Sequence, residues 1–255
     1  MRIPNRKNKK RKDPRRGIYV LPNLVTTASL FCGFYALIAA ISGNYYQAAL
    51  SVLAAAVLDG LDGRIARMTQ TTSAFGVQYD SLSDLIAFGL APAVLVFLWA
   101  LKPFNRFGWM AAFLYLVCGA LRLARFNVQT GQVSSNFFVG LPIPAAATIV
   151  ATTILFIYQM GGTGSTGYLI VLIMIYVLSF LMVSNIPYYS FKGLKLAERR
   201  SFNFLVAVVL IFVLVALEPY VVLSVGILGY VLSGPILALY RLKKKPVPEP
   251  VERTV

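Results

Sequence analysis

Four of the five aspartates in this chain fall within residues 59–84, as Asp59, Asp62, Asp80 and Asp84. Asp59 and Asp62 are three residues apart and Asp80 and Asp84 are four apart, so each pair shares one face of a helix. Apolar runs stand on both sides of the stretch. One aspartate at the centre of a membrane helix costs about 2.5–3.5 kcal/mol on insertion scales. Helix packing therefore gives no reason for four of them.

Neighbouring carboxylates repel each other unless cations compensate, and hard divalent cations prefer oxygen ligands. Softer metals are disfavoured, because the chain has no histidine and its two cysteines, Cys32 and Cys118, lie in apolar runs without metal-ligand spacing. Two Mg²⁺ or Mn²⁺ would balance the four negative charges, and two-metal sites are suited to displacement at phosphorus. Without histidine, proton transfer near neutral pH falls to a carboxylate, lysine, tyrosine or cysteine.

The elements that carry the aspartates are predicted to be membrane helices. The chain has 255 residues, is 58% hydrophobic and has a mean hydropathy of +0.72, whereas soluble domains are about 45–50% apolar. Only helices and closed barrels can cross lipid. We predict an all-α integral membrane protein with eight transmembrane helices, near 21–42, 45–68, 77–101, 107–126, 142–160, 167–187, 202–217 and 220–240. The last two are divided at Glu218-Pro219-Tyr220, because together they are too long for one crossing.

The basic residues predict the orientation. Net charge is +15, from 24 Lys+Arg against 9 Asp+Glu. With eight helices both termini share one side of the membrane, which receives 22 of the basic residues, and only Lys102 and Arg106 fall on the other. Both termini are therefore expected in the cytoplasm, with the first residues as a retained basic tail. Because the charges flank apolar runs, we expect an anionic membrane surface and no nucleic acid as the partner.

In this orientation the second helix ends and the third begins on the cytoplasmic side, so their acidic faces are expected to meet in one cavity. Small residues on both faces leave backbone bare for a bulky ligand, although such residues are also typical of helix packing. Arg67 suits a phosphate or a nucleobase edge, whereas Arg64 is expected to anchor the helix at the membrane surface. The two faces comprise Asp59, Asp62, Gly63, Ala66 and Arg67, and Gly76, Asp80 and Asp84.

The stretch reads Asp59-x-x-Asp62-Gly63-x-x-Ala66-Arg67, then eight residues, then Gly76-x-x-x-Asp80-x-x-x-Asp84. This pattern resembles the signature of the CDP-alcohol phosphotransferases, with every position filled. The phrases RRGIYVLPNL, LFCGFYA, CGALRLARFNV, FVGLPIPAA and SFKGLK are similar to the bacterial membrane-integral branch of that family, which uses serine as the acceptor. The resemblance thus covers most of the chain.

The resemblance implies a core of six helices, usually dimeric, in a bacterial-type cytoplasmic membrane, with the active site facing the cytoplasm. We assign that core to residues 21–200, after a basic tail at 1–20. Two additional helices at 201–241 and a cytoplasmic tail at 242–255 would follow. The implied reaction moves the phosphatidyl group of CDP-diacylglycerol to the hydroxyl of L-serine and releases CMP.

The resemblance also implies residue roles. Asp59, Asp62 and Asp80 would ligate two divalent ions, Mg²⁺ or Mn²⁺, and Asp84 would ligate one ion and act as the general base. The CDP-lipid would be held by Gly63, Ala66, Arg67 and Gly76. Asn23 and Thr26, at the start of the first helix, are expected to line the nucleotide side, with helix capping and packing as the alternative.

The acceptor needs a binding site for its carboxylate. Arg122 and Arg125 lie at the cytoplasmic end of the fourth helix with Asn127 just beyond it, and Lys192 and Lys195 follow the sixth helix. Arginine matches two carboxylate or phosphate oxygens, and anchoring to lipid headgroups is the alternative role for these arginines and lysines. Residue types alone leave serine, glycerol 3-phosphate and inositol phosphate open as acceptors. A cation transporter is the alternative class, since membrane acids also mark ion pathways, but no repeated half is visible.

Overall fold

Two long helices begin the part of the chain that the computed structural model describes, namely residues 20–69, 73–129, 137–162, 168–189 and 217–243. They are α1 (Val20–Ile41) and α2 (Tyr45–Thr69). Three residues join them, and Gly43 takes the left-handed conformation (φ 79°) that ends many helices. The N–H of Asn44 donates to the carbonyl of Ala39 at 2.8 Å. This tight turn makes α1 and α2 an antiparallel hairpin.

The chain then forms a long helical stretch that contains two π-helical segments, reverses direction and continues as another long helix. Ser73 caps its start, because its Oγ accepts from the N–H of Gly76 at 3.0 Å. At its far end, Asn105 has a positive φ of 46° and reverses the chain. In order, the segments are α3 (Ala74–Asp84), a π-helical segment (Leu85–Leu90), α4 (Ala91–Val96), a second π-helical segment (Phe97–Leu101), a 3₁₀ turn (Lys102–Phe104) and α5 (Asn105–Gln129).

Three more helices and a small hairpin complete the described fold. The helices are α6 (Ile143–Gln159), α7 (Leu169–Val183) and α8 (Pro219–Lys243). Two three-residue strands, β1 (Phe137–Val139) and β2 (Pro187–Tyr189), pair antiparallel. The N–H of Gly140, just after β1, also donates to the carbonyl of Ile186 at 2.9 Å. The predicted helical fold is confirmed for the described residues, whereas the β1–β2 hairpin was not predicted.

The surface of the bundle is apolar, and its interior combines many alanines with large side chains such as Trp99 and Tyr115. Alanines fill the contacts between α1 and α2, while large side chains such as Phe180 (71% exposed) and Ile170 (75% exposed) point outward. This distribution is typical of helices that contact lipid. Three helical stretches are long and apolar enough to cross a membrane, Pro22–Ile41, Ala74–Val128 and Tyr220–Leu237, and α6 and α7 are shorter apolar helices. The protein is therefore a multi-pass membrane protein.

Seven of the eight predicted windows carry a described helix. The remaining window, 202–217, lies outside the described residues except for Leu217. The count of eight helices, and the division at Glu218, therefore stay predictions. Most of both predicted tails also lies outside the described ranges.

We predict that Gly33→Val lowers the thermal stability of the purified protein by several degrees. Helix α1 contacts the first π-helical segment at Gly33, where an added Cβ would lie 2.6 Å from the Cα of Ala87. Overpacking against backbone costs about 1–3 kcal/mol. Gly226→Val on α8 is the matched control, because a Cβ there meets nothing within 4 Å. Tryptophan fluorescence during heating in detergent measures both, and equal midpoints for Gly33→Val and wild type would contradict this packing.

Candidate active site

Helices α2 and α3 bring the aspartates together. Asp59 and Asp62 lie in the second half of α2, and Asp80 and Asp84 lie in the second half of α3. One carboxylate oxygen from each of Asp59, Asp62 and Asp80 lies within 4.8 Å of the others. The carboxyl group of Asp84 is in hydrogen-bonding contact with that of Asp59. The predicted convergence of the two acidic faces is therefore observed, while the role of each carboxylate stays a prediction.

Helix α1 supports this cluster through hydroxyl groups. The Thr26 hydroxyl donates to Oδ2 of Asp62 at 2.9 Å, and Asp62 is only 6% exposed. Ser83, next to Asp84, donates to the backbone carbonyl of Thr26 at 3.2 Å. Ser29 donates to the carbonyl of Ala55 on α2 at 3.0 Å. These bonds hold α1 against both acidic helices, so Thr26 orients a carboxylate as well as lying near the predicted nucleotide side.

The positions predicted to hold the CDP moiety are only partly described. A Cβ added to Gly63 would meet nothing within 4 Å, so the α2 backbone is open there. At Gly76 an added Cβ would lie 3.5 Å from Oδ1 of Asn23 and 3.2 Å from Oγ of Ser73. These two polar atoms therefore border the bare surface of α3. Ala66 and Arg67 lie on α2, but their side chains fall outside the described part of the structure.

A buried arginine stands beside the carboxylates. Arg122 on α5 is 8% exposed, and its guanidinium interacts electrostatically with Asp84 and Asp59. The guanidinium carbon also lies 5.3 Å from the centre of the Phe126 ring, in a cation–π contact. A guanidinium has five N–H donors and no acceptor, so a carboxylate or phosphate is its natural partner. Among the described residues predicted to bind the acceptor, Arg122 therefore interacts directly with the aspartate cluster.

The other predicted acceptor residues lie elsewhere. Arg125 donates to the carbonyl of Val183 at 3.3 Å and to Oδ1 of Asn185, so it ties α5 to the end of α7. Asn127 donates to Oγ of Ser81 on α3 at 2.9 Å, one residue from Asp80. Lys192 and Lys195 fall outside the described residues. The structure therefore separates the two arginines that the sequence pattern had grouped.

Two residues that hold α1 against the acidic helices were not predicted from the sequence. The rarity of hydroxyls in an apolar helix could have singled out Ser29, whereas Ser83 lies in the polar sequence of α3, close to Ser81 and Asp84, and does not stand out there. These contacts join elements distant in the chain, which residue spacing does not reveal.

The donor set fits a hard divalent cation. Three carboxylates converge, one of them is oriented by a hydroxyl, and the chain has no histidine to favour a softer metal. Hydroxyl support of a ligating carboxylate is a common feature of metal sites. The aspartate group is therefore capable of binding metal.

A family model described as CDP-alcohol phosphatidyltransferase matches residues 19–186, which contain all four clustered aspartates. The chain belongs to this family. Membership agrees with the geometry, because the matched range includes every described element of the acidic cluster and its support from α1 and α5. Helix α8 lies beyond the match.

Curated relatives lie in the same family. The chain is 38% identical over 231 residues to a CDP-diacylglycerol–serine O-phosphatidyltransferase of Helicobacter pylori, covering 91% of this chain and 96% of that protein. It is 36% identical over 176 residues to the archaetidylserine synthase of Methanothermobacter thermautotrophicus, covering 68% and 71%. A CDP-diacylglycerol–serine O-phosphatidyltransferase of Bacillus subtilis is 32% identical over 173 residues, covering 68% and 91%.

We predict that Thr26→Val weakens Mn²⁺ binding about 10- to 100-fold, as expected when a hydroxyl that orients a metal ligand is removed. Thr27→Val is the matched control, since the Thr27 hydroxyl bonds to the Asn23 carbonyl and Tyr79 and to no aspartate. Electron paramagnetic resonance of free Mn²⁺ measures the affinity of both variants. Equal affinity in Thr26→Val and wild type would show that Asp62 needs no such support.

Proposed function

We propose that the protein transfers the phosphatidyl group of CDP-diacylglycerol to the hydroxyl of L-serine, forming phosphatidylserine and CMP. The observation that carries this proposal is the convergence of the Asp59, Asp62 and Asp80 carboxylates within a membrane helix bundle of this family. The names of the relatives above, each of which includes serine, support that acceptor over another alcohol.

The aspartates are the proposed ligands of two divalent cations, Mg²⁺ or Mn²⁺. Asp59, Asp62 and Asp80 would bind both ions between them, and Asp84 would bind one. When bound, such ions neutralise charge that develops on the phosphoryl oxygens and on the leaving group. The chain prepares the site by burying Asp62 and by fixing its carboxylate through Thr26.

Asp84 is the proposed general base. It lies one helical turn from Asp80, in contact with Asp59 and near the buried Arg122. Asp84 would take the proton of the serine hydroxyl, whose oxygen then attacks the phosphorus that carries the diacylglycerol. The bond from that phosphorus to the CMP oxygen breaks, and no covalent enzyme intermediate is required.

The CDP moiety is proposed to lie along the exposed backbone of α2 and α3. Gly63 leaves α2 uncovered, and Gly76 lies beside the polar atoms of Asn23 and Ser73. A bulky substituent at either glycine would occupy that space. Ala66, Arg67 and Thr26 complete the proposed nucleotide-binding set.

Arg122 is the proposed ligand of the serine carboxylate. It is buried, carries a bidentate donor pair and lies on the side of the cluster where Asp84 would accept the proton. Asn127, Arg125 and Lys192 remain proposed contributors to the acceptor or phosphate site. A guanidinium also suits glycerol 3-phosphate or inositol phosphate, so the acceptor must be tested directly.

We further propose the arrangement in the membrane. Both termini and the active site would face the cytoplasm, as the distribution of basic residues predicts. The six-helix core at 21–200 would be joined by the two helices at 201–241, and two copies would form a homodimer.

We predict that Asp84→Asn lowers turnover at least about 100-fold, since the amide cannot accept the serine proton. Binding of CDP-diacylglycerol should persist, because Asp59, Asp62 and Asp80 remain. The assay follows labelled serine into phosphatidylserine in membranes containing CDP-diacylglycerol and Mn²⁺, with Glu218→Gln as a control on a distant carboxylate. Full activity of Asp84→Asn would refute its role as the base.

The same assay tests the acceptor and the class of protein. Wild type should form phosphatidylserine and CMP in equal amounts. Product only with glycerol 3-phosphate or inositol phosphate would overturn serine as the acceptor, and cation flux without any product would indicate a transporter.

A further inference from the structure

The first π-helical segment, Leu85–Leu90, begins directly after Asp84. Here the N–H of Ala91 donates to the carbonyl of Ile86, five residues earlier, where an α-helix would use the carbonyl four residues earlier. Such turns occur mostly as short bulges and are frequent at functional sites. The extra residue in the turn changes the rotation of the helix on one side relative to the other. Because α4 is buried, the turn determines how α3 and Asp84 are rotated relative to the core.

Pro92 explains why the helix widens at this point. In an α-helix the carbonyl of Phe88 would accept from the N–H of residue 92, which is a proline and has no N–H. The proline ring would also clash with that carbonyl. Pro92 lies buried in the first turn of α4. A wider turn immediately before it relieves the clash.

Tyr115 on α5 supplies the hydrogen bond that the proline cannot donate. Its hydroxyl donates to the carbonyl of Phe88 at 3.2 Å, and both residues are fully buried. A buried carbonyl without a donor is costly. The bond from Tyr115 therefore stabilises the wide turn and fixes it against α5.

Asp84 lies between this turn and two contacts that hold the earlier part of α3. The Ser83 hydroxyl donates to the carbonyl of Thr26 on α1 at 3.2 Å, and Oγ of Ser81 accepts from an α5 side chain at 2.9 Å. These bonds hold the part of α3 that carries Asp80 independently of the turn. Asp84, which directly precedes the π-helical segment, is therefore the aspartate that depends most on it.

We propose that Pro92 and Tyr115 are positioning residues, which together maintain the wide turn that directs the Asp84 carboxylate into the cluster. This inference rests on the proposed function, in which Asp84 is the general base. Neither residue is expected to touch the reacting atoms, and both act through the rotation of α3. Their loss would therefore slow the chemical step and leave binding of CDP-diacylglycerol nearly unchanged.

The first test is Tyr115→Phe, which keeps the ring and removes the donor. We expect kcat for phosphatidylserine synthesis to fall about 5- to 10-fold, because a buried carbonyl loses its partner. The KM for CDP-diacylglycerol should change less than about twofold. Tyr45→Phe is the matched control, because the Tyr45 hydroxyl donates to the carbonyl of Leu98 at 3.3 Å, in the second π-helical segment and several turns beyond Asp84. It should leave kcat within about twofold of wild type, and a fall equal to that of Tyr115→Phe would overturn the inference.

The second test is Pro92→Ala, which restores the backbone N–H and removes the ring. The helix should then continue as a regular α-helix, since alanine is the best helix former. We expect kcat to fall about 10-fold or more, because a small displacement of a catalytic group is costly.

A double-mutant cycle shows whether the two residues act through the same turn. In the Pro92→Ala background, Tyr115→Phe should lower kcat less than about twofold further, because the carbonyl of Phe88 then has a backbone donor. An unchanged kcat in either single variant, or an equal further fall in both backgrounds, would overturn the inference. If Pro92→Ala does not fold, Tyr115→Phe and its control decide. Absence of phosphatidylserine synthesis by wild type would instead overturn the proposed function.

Discussion

The structure depends on the burial of several negative charges in an apolar helix bundle. Asp62 is almost fully buried, and Asp59 and Asp80 place oxygens within 4.8 Å of it and of each other. Like charges at that separation repel strongly where the dielectric is low. Divalent cations bound there would remove the repulsion and would also attract a pyrophosphate, so the same interaction would stabilise the bundle and bind the substrate. Thr26 and Ser83 contribute by fixing the helices that meet there.

The site divides into two halves that different parts of the chain supply. Helices α2 and α3 provide the carboxylates and the exposed glycine backbone on which the activated lipid would lie, and α1 supports Asp62 through Thr26. Helix α5 provides the buried Arg122, which interacts electrostatically with Asp84 and Asp59. In the proposed function the acceptor would lie on the side of the cluster where Asp84 contacts Asp59. A common metal half and a variable acceptor half would let one fold serve several alcohols.

Much of the fold could be predicted from the sequence, because only helices and closed barrels can cross lipid. Apolar windows predicted helices correctly wherever the structure describes them, and helical periodicity placed Asp59 with Asp62 and Asp80 with Asp84. Contacts between distant elements could not be predicted. Arg122 and Arg125 are three residues apart, which leaves about 60° between them around the helix, and this is enough for one to face the aspartates and the other α7. The β1–β2 hairpin was missed because three-residue strands carry no periodic signal.

The most direct test of the central claim is a structure determined with Mn²⁺ and CDP-diacylglycerol, with diffraction data collected at a wavelength where manganese scatters anomalously. We expect two anomalous peaks about 3.5–4 Å apart, surrounded by Asp59, Asp62, Asp80 and Asp84. The pyrophosphate should contact both manganese ions. A bound nucleotide with no manganese between these side chains, or carboxylates that face away from one another, would contradict it.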